Sequence, residues 1–258
     1  MPAKPTKFRL DELLLMRGWS SSRTQAKALI LSGNVRQGCQ VLDKPGKIYP
    51  EDVELTLIQP PRFVSRGGEK LATFIESFSI PVEGRTLLDV GASTGGFTDC
   101  LLQRGANSAV CVDVGHAQLH PKLANDPRVV NLEGINARYL RADQLPRPDY
   151  ALIVADLSFI SLRLVLPALW PLLQPKGQLI VLVKPQFEAD KRIVDASCGI
   201  IRDPSVHQAV LERIKHFCAK VLSNSQEIGS IPSPLLGRAG NREFLLGLTK
   251  EPLVSRIH

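Results

Sequence analysis

Apolar and polar positions along this chain change pattern near residue 60. In the first sixty residues the helical period leads. "FRLDELLLMRGW" has apolar positions at Leu10, Leu13, Leu14 and Met16, a helical spacing, and Gly18 ends the run. "SSSRTQAKALILSG" follows, with serines as caps, Ala26, Leu29 and Ile30 on one face, and Gly33 as the stop. Two stretches of strand character, "NVRQGCQV" and "VELTLI", complete a small α+β unit. Gln59-Pro60-Pro61 then breaks the pattern, because proline neither donates to a ladder nor continues a helix. The expected division is a module over residues 1–59, a linker over 60–64 and a second domain over 65–258.

Beyond the prolines, short apolar runs alternate with helical patterns. Strands are predicted over 85–90, 108–112, 128–132, 150–155, 178–183 and 243–248, with a further one near 226–231. Phe97–Arg104 reads as a helix, and the clearest helical patterns are Leu162–Leu173 and Val206–Leu222. This alternation predicts an α/β fold: a doubly wound, Rossmann-like, mostly parallel sheet with helices on both faces. Leu157–Leu173 is the most membrane-like segment. It holds Arg163, Pro167 and Pro171 and falls short of the roughly 20 apolar residues that a spanning helix needs, so it reads as a strand end and a helix against the sheet. The segment "ADKRIVDASCGIIRDPSVH" is polar and is expected to be an irregular surface loop.

Composition changes this picture only at two points. The five cysteines are odd in number and lack CxxC spacing, which fits free thiols in a reducing compartment, neither a disulfide frame nor a zinc site. With no signal core in "MPAKPTKFRLDELL", a cytoplasmic location is expected. The net charge is +7, and it is unevenly placed: residues 1–70 hold 12 Lys and Arg against 7 Asp and Glu. A basic front of this kind favours a polyanion such as nucleic acid, although a solvated basic face would look the same.

The chemistry starts at "LLDVGASTGGFTDCLL", a strand, a glycine turn and a helix start. Gly91 and Gly96 fill the first and third places of the dinucleotide fingerprint G-x-G-x-x-G, and Ser93 takes the middle one. That middle glycine lets a pyrophosphate press on bare backbone, so Ser93 weakens a dinucleotide reading without excluding it. Asp113 ends the next strand about 20 residues on, where an acid contacting ribose hydroxyls belongs, or where an aspartate caps a turn. Asn136 in "EGINARYL" is placed either to meet an adenine edge or to cap a helix. Four charged residues remain. Lys70 lies in "SRGGEKL", Asp156 ends "IVAD", Lys184 ends "LIVLVK", and Glu243 begins the last strand in "GNREFLL". Asp156 and Lys184 end neighbouring strands where such sheets bind ligands; an ion pair closing the sheet edge is the competing reading.

Residues 9–58 resemble the S4 RNA-binding domain in their RLD, SR and I..G.V pattern and paired strands. The glycine loop, Asp113 and the order Lys70, Asp156, Lys184, Glu243 resemble the FtsJ-type ribose 2′-O-methyltransferases. Together, with "SRGGEKL", "DVGASTGGFTD", "DLSFISL", "VKPQFE" and "GNREFL", the chain resembles the TlyA family over nearly its full length. The resemblance implies a seven-stranded sheet with an antiparallel last strand. It implies S-adenosylmethionine as cofactor and methyl transfer to a ribose 2′-hydroxyl, that of a cytidine, with ribosomal RNA or ribosomal subunits as partner. Some members carry a haemolysin name. The implied cofactor contacts are Asp89, Gly91, Ala92, Ser93, Gly95, Gly96, Phe97, Asp113, Asn136 and Asp156. The implied catalytic set is Lys70, Asp156, Lys184 and Glu243. A free lysine, with a pKa of about 10.4, is a poor base near neutrality. Two lysines together beside a sulfonium disfavour each other's charge, so one can stand neutral, and Lys184 is assigned that role. Arg9, Arg17, Arg23, Lys27, Arg36, Arg62 and Arg66 are the expected RNA contacts. The competing functions are a dinucleotide oxidoreductase, a non-catalytic RNA- or ribosome-binding factor and a membrane-active haemolysin. No metal is expected: His116 and His120 have i,i+4 spacing but no third ligand nearby.

Overall fold

A computed structural model describes residues 6–58 and 61–252. The chain divides into two compact units, Met1–Pro61 and Arg62–His258. Gln59, the expected end of the first module, and Pro60, the expected start of the linker, lie outside the described residues. Residues 62–64 pack with the second unit: Phe63 is buried, and the Val64 N–H donates to Asp99 Oδ2 at 2.8 Å.

In the first unit, β1 (Lys7–Arg9) pairs antiparallel with β4 (Ile48–Pro50). β2 (Val35–Gln37) lies between β3 (Gln40–Val41) and β5 (Thr56–Leu57). The helices are α1 (Leu10–Met16) and α2 (Arg23–Leu31), the second capped by the Ser22 hydroxyl, which accepts from the Gln25 N–H. Leu10, Leu13, Leu14, Ala26, Ile30, Val35 and Leu42 form this unit's own core. Met16 is exposed. The α1 helix ends there, and its core contacts come from Leu10, Leu13 and Leu14.

The second unit begins with α3 (Gly67–Ser77). The central strands are β6 (Thr86–Val90), β7 (Ser108–Val112), β8 (Val129–Leu132), β9 (Tyr150–Ala155), β10 (Leu173–Val183), β11 (Ser225–Pro232) and β12 (Phe244–Lys250). They form one sheet in the order β11-β12-β10-β9-β6-β7-β8. The first five are parallel, and the last strand, β12, runs antiparallel between β10 and β11. Strand order reverses between β6 and β9, which opens the crevice at their carboxyl ends. This is the expected doubly wound sheet with an antiparallel last strand.

Alternate residues of each central strand face opposite sides, and both sides are covered. Leu88, Val90, Ile153, Val181 and Val183 pack against α6 (Leu162–Leu169) and α9 (Pro204–Val221). Leu87, Leu152, Val154, Ile180 and Leu182 pack against α3, α4 (Gly96–Gln103) and α5 (Pro121–Ala124). The helix expected over 162–173 turns into a 3₁₀ turn at Trp170–Leu172, where Pro171 lacks the N–H that an α turn would use. β10 starts earlier than expected, at Leu173, with an irregular register up to Gln178. The polar 190s segment is not wholly irregular: α7 (Pro185–Glu188) and α8 (Lys191–Ala196) lie just before and within it.

Candidate active site

The glycine loop leaves β6 at the strand-order reversal. Gly91 has φ +79°, and its N–H donates to the Val112 carbonyl at 2.8 Å. A Cβ there would stand 2.6 Å from the Asp156 carbonyl oxygen, so only glycine lets the two strand ends lie this close. Ser93, at the middle position of the fingerprint, has a left-handed backbone at φ +47°. Such a conformation costs a non-glycine residue about 1 kcal/mol or more and marks strain at a functional loop. Its N–H donates to Asp113 Oδ2 at 2.8 Å.

Beneath the loop, on β6, Asp89 is 1% exposed. Its Oδ2 accepts from the Thr98 N–H and hydroxyl at 3.0 and 2.7 Å, and its Oδ1 is buried without a partner. Burial pushes the Asp89 carboxyl up to about 7, with Asp156 and Asp113 adding repulsion to its charged form. An orphaned carboxylate oxygen in a glycine-lined cradle is a receptor for a cationic or N–H group.

Two cavities of about 430 and 440 Å³ meet at Gly91, Ser93, Asp156 and Ser158. Of the expected cofactor contacts, Asp89, Ala92, Gly96 and Phe97 line the first, and Asp113 and Asn136 line the second. Asp113 is already engaged, since Oδ1 accepts from the Gly115 N–H at 2.8 Å and Oδ2 from Ser93, but each oxygen retains a lone pair. Asn136 Oδ1 caps the 3₁₀ turn Ala137–Tyr139. Gly95 lines neither cavity. It adopts φ +88° at the start of α4, where a Cβ would come within 2.8 Å of the Leu119 side chain.

The first cavity also holds Lys70, Asp156, Lys184 and Glu243, carried by α3 and by the ends of β9, β10 and the β11–β12 loop. They stand as two ion pairs. Lys70 Nζ donates to Glu243 Oε2 at 2.5 Å, both side chains nearly buried. Lys184 Nζ lies 2.6 Å from Asp156 Oδ1, off the hydrogen-bond angle, so that attraction is coulombic; it also donates to the Ser158 hydroxyl at 2.9 Å. Glu243 stands just before β12, one residue earlier than the strand itself.

Three features of the rim escape a reading of sequence pattern. Phe159 has φ +63° and is 91% exposed at the cavity mouth, its ring 5.1 Å from that of Phe187. Glu188, 3% exposed, accepts from the Ser161 hydroxyl and the Leu162 N–H, both at 2.6 Å, and so ties the "VKPQFE" turn to the start of α6. Asn241 accepts from the Ile201 N–H at 2.9 Å and donates to the Gly199 carbonyl at 2.8 Å, tying the 190s segment to the strand that follows Glu243. A non-glycine left-handed residue, a buried acid or a buried amide has no signature in periodicity.

The expected RNA contacts are not alike. Arg9 forks onto buried Asp11, Arg17 donates to the Glu51 and Val53 carbonyls, and Arg23 bonds Glu12. These guanidiniums are partly spent inside the first unit. Lys27 is exposed, Arg36 Nε is buried without a partner, and Arg62 lies 4.9 Å over the Phe63 ring. Arg66 is exposed at the first cavity. His116 and His120 share no helix, and no group of three metal-ligating side chains occurs among the described residues. No helix among the described residues is long and apolar enough to cross a membrane.

The FtsJ-like methyltransferase model matches residues 63–250. A Bacillus subtilis relative, provisionally named an rRNA methyltransferase and called YqxC, is 45% identical over 94% of this chain and 85% of its own. The 16S/23S rRNA (cytidine-2′-O)-methyltransferase TlyA of Mycobacterium tuberculosis is 43% identical over 93% of this chain and 89% of its own. A solved structure from Streptococcus thermophilus with a provisional hemolysin name is 40% identical, covers 96% of this chain and 90% of its own, and superposes with a TM-score of 0.71. With a family model over most of the chain and relatives this similar over nearly all of it, the chain belongs to the TlyA group of the FtsJ-like methyltransferase family.

Proposed function

We propose that this chain transfers a methyl group from S-adenosylmethionine to the ribose 2′-hydroxyl of a cytidine in ribosomal RNA. The observation that carries the reading is the single cavity in which two closed Lys–carboxylate pairs adjoin the glycine loop. Family membership sets the dinucleotide reading aside, and Ser93 fits a ligand without phosphates.

The residues present fit the cofactor. Asp89 Oδ1, buried and unpartnered, suits its ammonium group. Gly91 and Gly96, which line the cavity, and the start of α4 suit its carboxylate. Asp113 and Asn136 line the neighbouring cavity as partners for the ribose and adenine. When bound, S-adenosylmethionine supplies an activated methyl group, so the protein is left to align the 2′-oxygen and remove its proton. Lys70 and Glu243 position the ribose, and Lys184 accepts the proton. Lys184 Nζ lies between Asp156 and the Ser158 hydroxyl, a neutral partner. Phe159 offers an exposed ring face on which an unstacked base can lie. The first unit, read as an S4-like module, brings the RNA.

The test is transfer of labelled methyl to ribosomal subunits from cells lacking this activity. Lys184→Ala is expected to lower turnover by about 10²-fold or more while S-adenosylhomocysteine affinity stays near that of the wild type. Retained turnover would remove Lys184 as the base. Absence of label on both subunits, with cofactor still bound, would move the acceptor to another RNA.

A further inference from the structure

The tetrad cavity carries a charge that its ion pairs leave unexplained. Lys70 is closed by Glu243 and Lys184 by Asp156. Two further cations line the same cavity: Arg66, immediately before α3, and Arg238, in the loop between β11 and β12. Both are exposed, and neither has a carboxylate within ion-pair distance among the described residues. They come from sequence positions 172 residues apart and meet at one opening. Asp89, the remaining acid of the lining, is buried with one oxygen committed to Thr98. The rim is therefore positive beside a tetrad whose own charges cancel.

Chemistry of the acceptor says what such a rim is for. A ribose 2′-hydroxyl inside a polynucleotide has a phosphodiester on the adjacent 3′-oxygen and a second on the 5′ side. The closed Lys–carboxylate pairs offer those anions nothing, whereas a guanidinium presents a planar fork suited to phosphate oxygens. A free nucleoside would need neither arginine.

We propose that Arg66 and Arg238 clamp the phosphodiesters on either side of the acceptor ribose, so that the site selects a nucleotide within a chain. This rests on the 2′-hydroxyl reading above and adds the part of the acceptor that the tetrad does not recognise. Neutralising the 3′-phosphate also eases development of negative charge on the neighbouring 2′-oxygen.

The experiment uses the full chain and its Arg66→Ala, Arg238→Ala and Arg238→Lys variants. Methyl transfer to undermethylated ribosomal subunits gives KM and kcat. Binding of the same subunits across a salt series gives the slope of log affinity on log salt. S-adenosylhomocysteine titration reports the cofactor site. Each alanine variant is expected to raise the RNA KM about tenfold, with a smaller change in kcat. The salt slope should become shallower by about 0.7 to 0.9 per arginine. S-adenosylhomocysteine affinity should not change, and Arg238→Lys should keep the wild-type slope. Wild-type KM and slope in both alanine variants would overturn the clamp alone, as would a loss of cofactor affinity equal to the loss of RNA affinity. Wild-type enzyme that places no label on a ribose 2′-oxygen would overturn the clamp together with the reading beneath it.

Discussion

Asp89 sits on β6 among apolar neighbours, directly under the glycine loop, and its Oδ1 has no partner. Its carboxyl, raised to about 7 from the usual value near 4, couples folding to pH. Between these two values the folded protein holds a proton that the unfolded chain has lost. Stability without cofactor should therefore fall as pH rises from about 4 to 7, by up to about 1.4 kcal/mol per pH unit from this group. Asp89→Asn should flatten that slope in thermal melts at pH 5, 6 and 7; an unchanged slope would show that the carboxyl titrates normally. Phe159 makes the opposite kind of prediction. Its side chain is almost wholly in solvent on a left-handed backbone, so Phe159→Ala should leave the melting temperature nearly unchanged. The same change should weaken RNA substrate binding by about 1–3 kcal/mol, the range of a base–aromatic stack. An unaltered RNA KM would remove the ring from the acceptor site.

At the scale of elements, the site depends on loops held by buried polar side chains. Glu188 fixes the start of α6, and with it the Asp156–Ser161 loop, against the turn that follows Lys184. Burial raises its carboxyl despite the bonds from Ser161 and Leu162. Glu188→Ala leaves the Leu162 N–H unpaired in a buried place and should cost about 1–3 kcal/mol, read as a lower denaturation midpoint. Asn241 does similar work for the 190s segment. Asn241→Ala should speed hydrogen exchange at Ile201, while the amides of β10 keep their protection. Equal loss of protection in both places would mean that the whole sheet, not the strap, had been weakened.

At the scale of the molecule, each compact unit has its own core. A chain starting at Arg62 retains buried Phe63 and the Val64–Asp99 bond, so it should fold and bind S-adenosylhomocysteine. If the first unit is what brings the RNA, that shortened chain should lose ribosomal RNA affinity and turnover together while keeping its cofactor affinity. Undiminished turnover would assign the basic front to another task.

Continuous apolar runs, glycine punctuation and proline breaks, all legible in the sequence, determined much of this protein. The parallel sheet, the glycine loop and the places of Asp113, Asp156 and Lys184 at strand ends follow from local pattern, because burial on both faces forces apolar strands and a sharp turn demands glycine. Local pattern did not show α3, whose opening Gly-Gly masks the helix that carries Lys70. Nor did it separate the arginines spent on Asp11, Glu12 and backbone carbonyls from those left free, since a side chain's partner is set by which elements pack together. The pairing of Lys70 with Glu243, 173 residues apart, was decided only by tertiary structure, as was the meeting of Arg66 and Arg238 at one opening. Periodicity reports which face of an element is apolar; the contacts between distant elements, where charges are paired or left over, arise only when those faces close on one another.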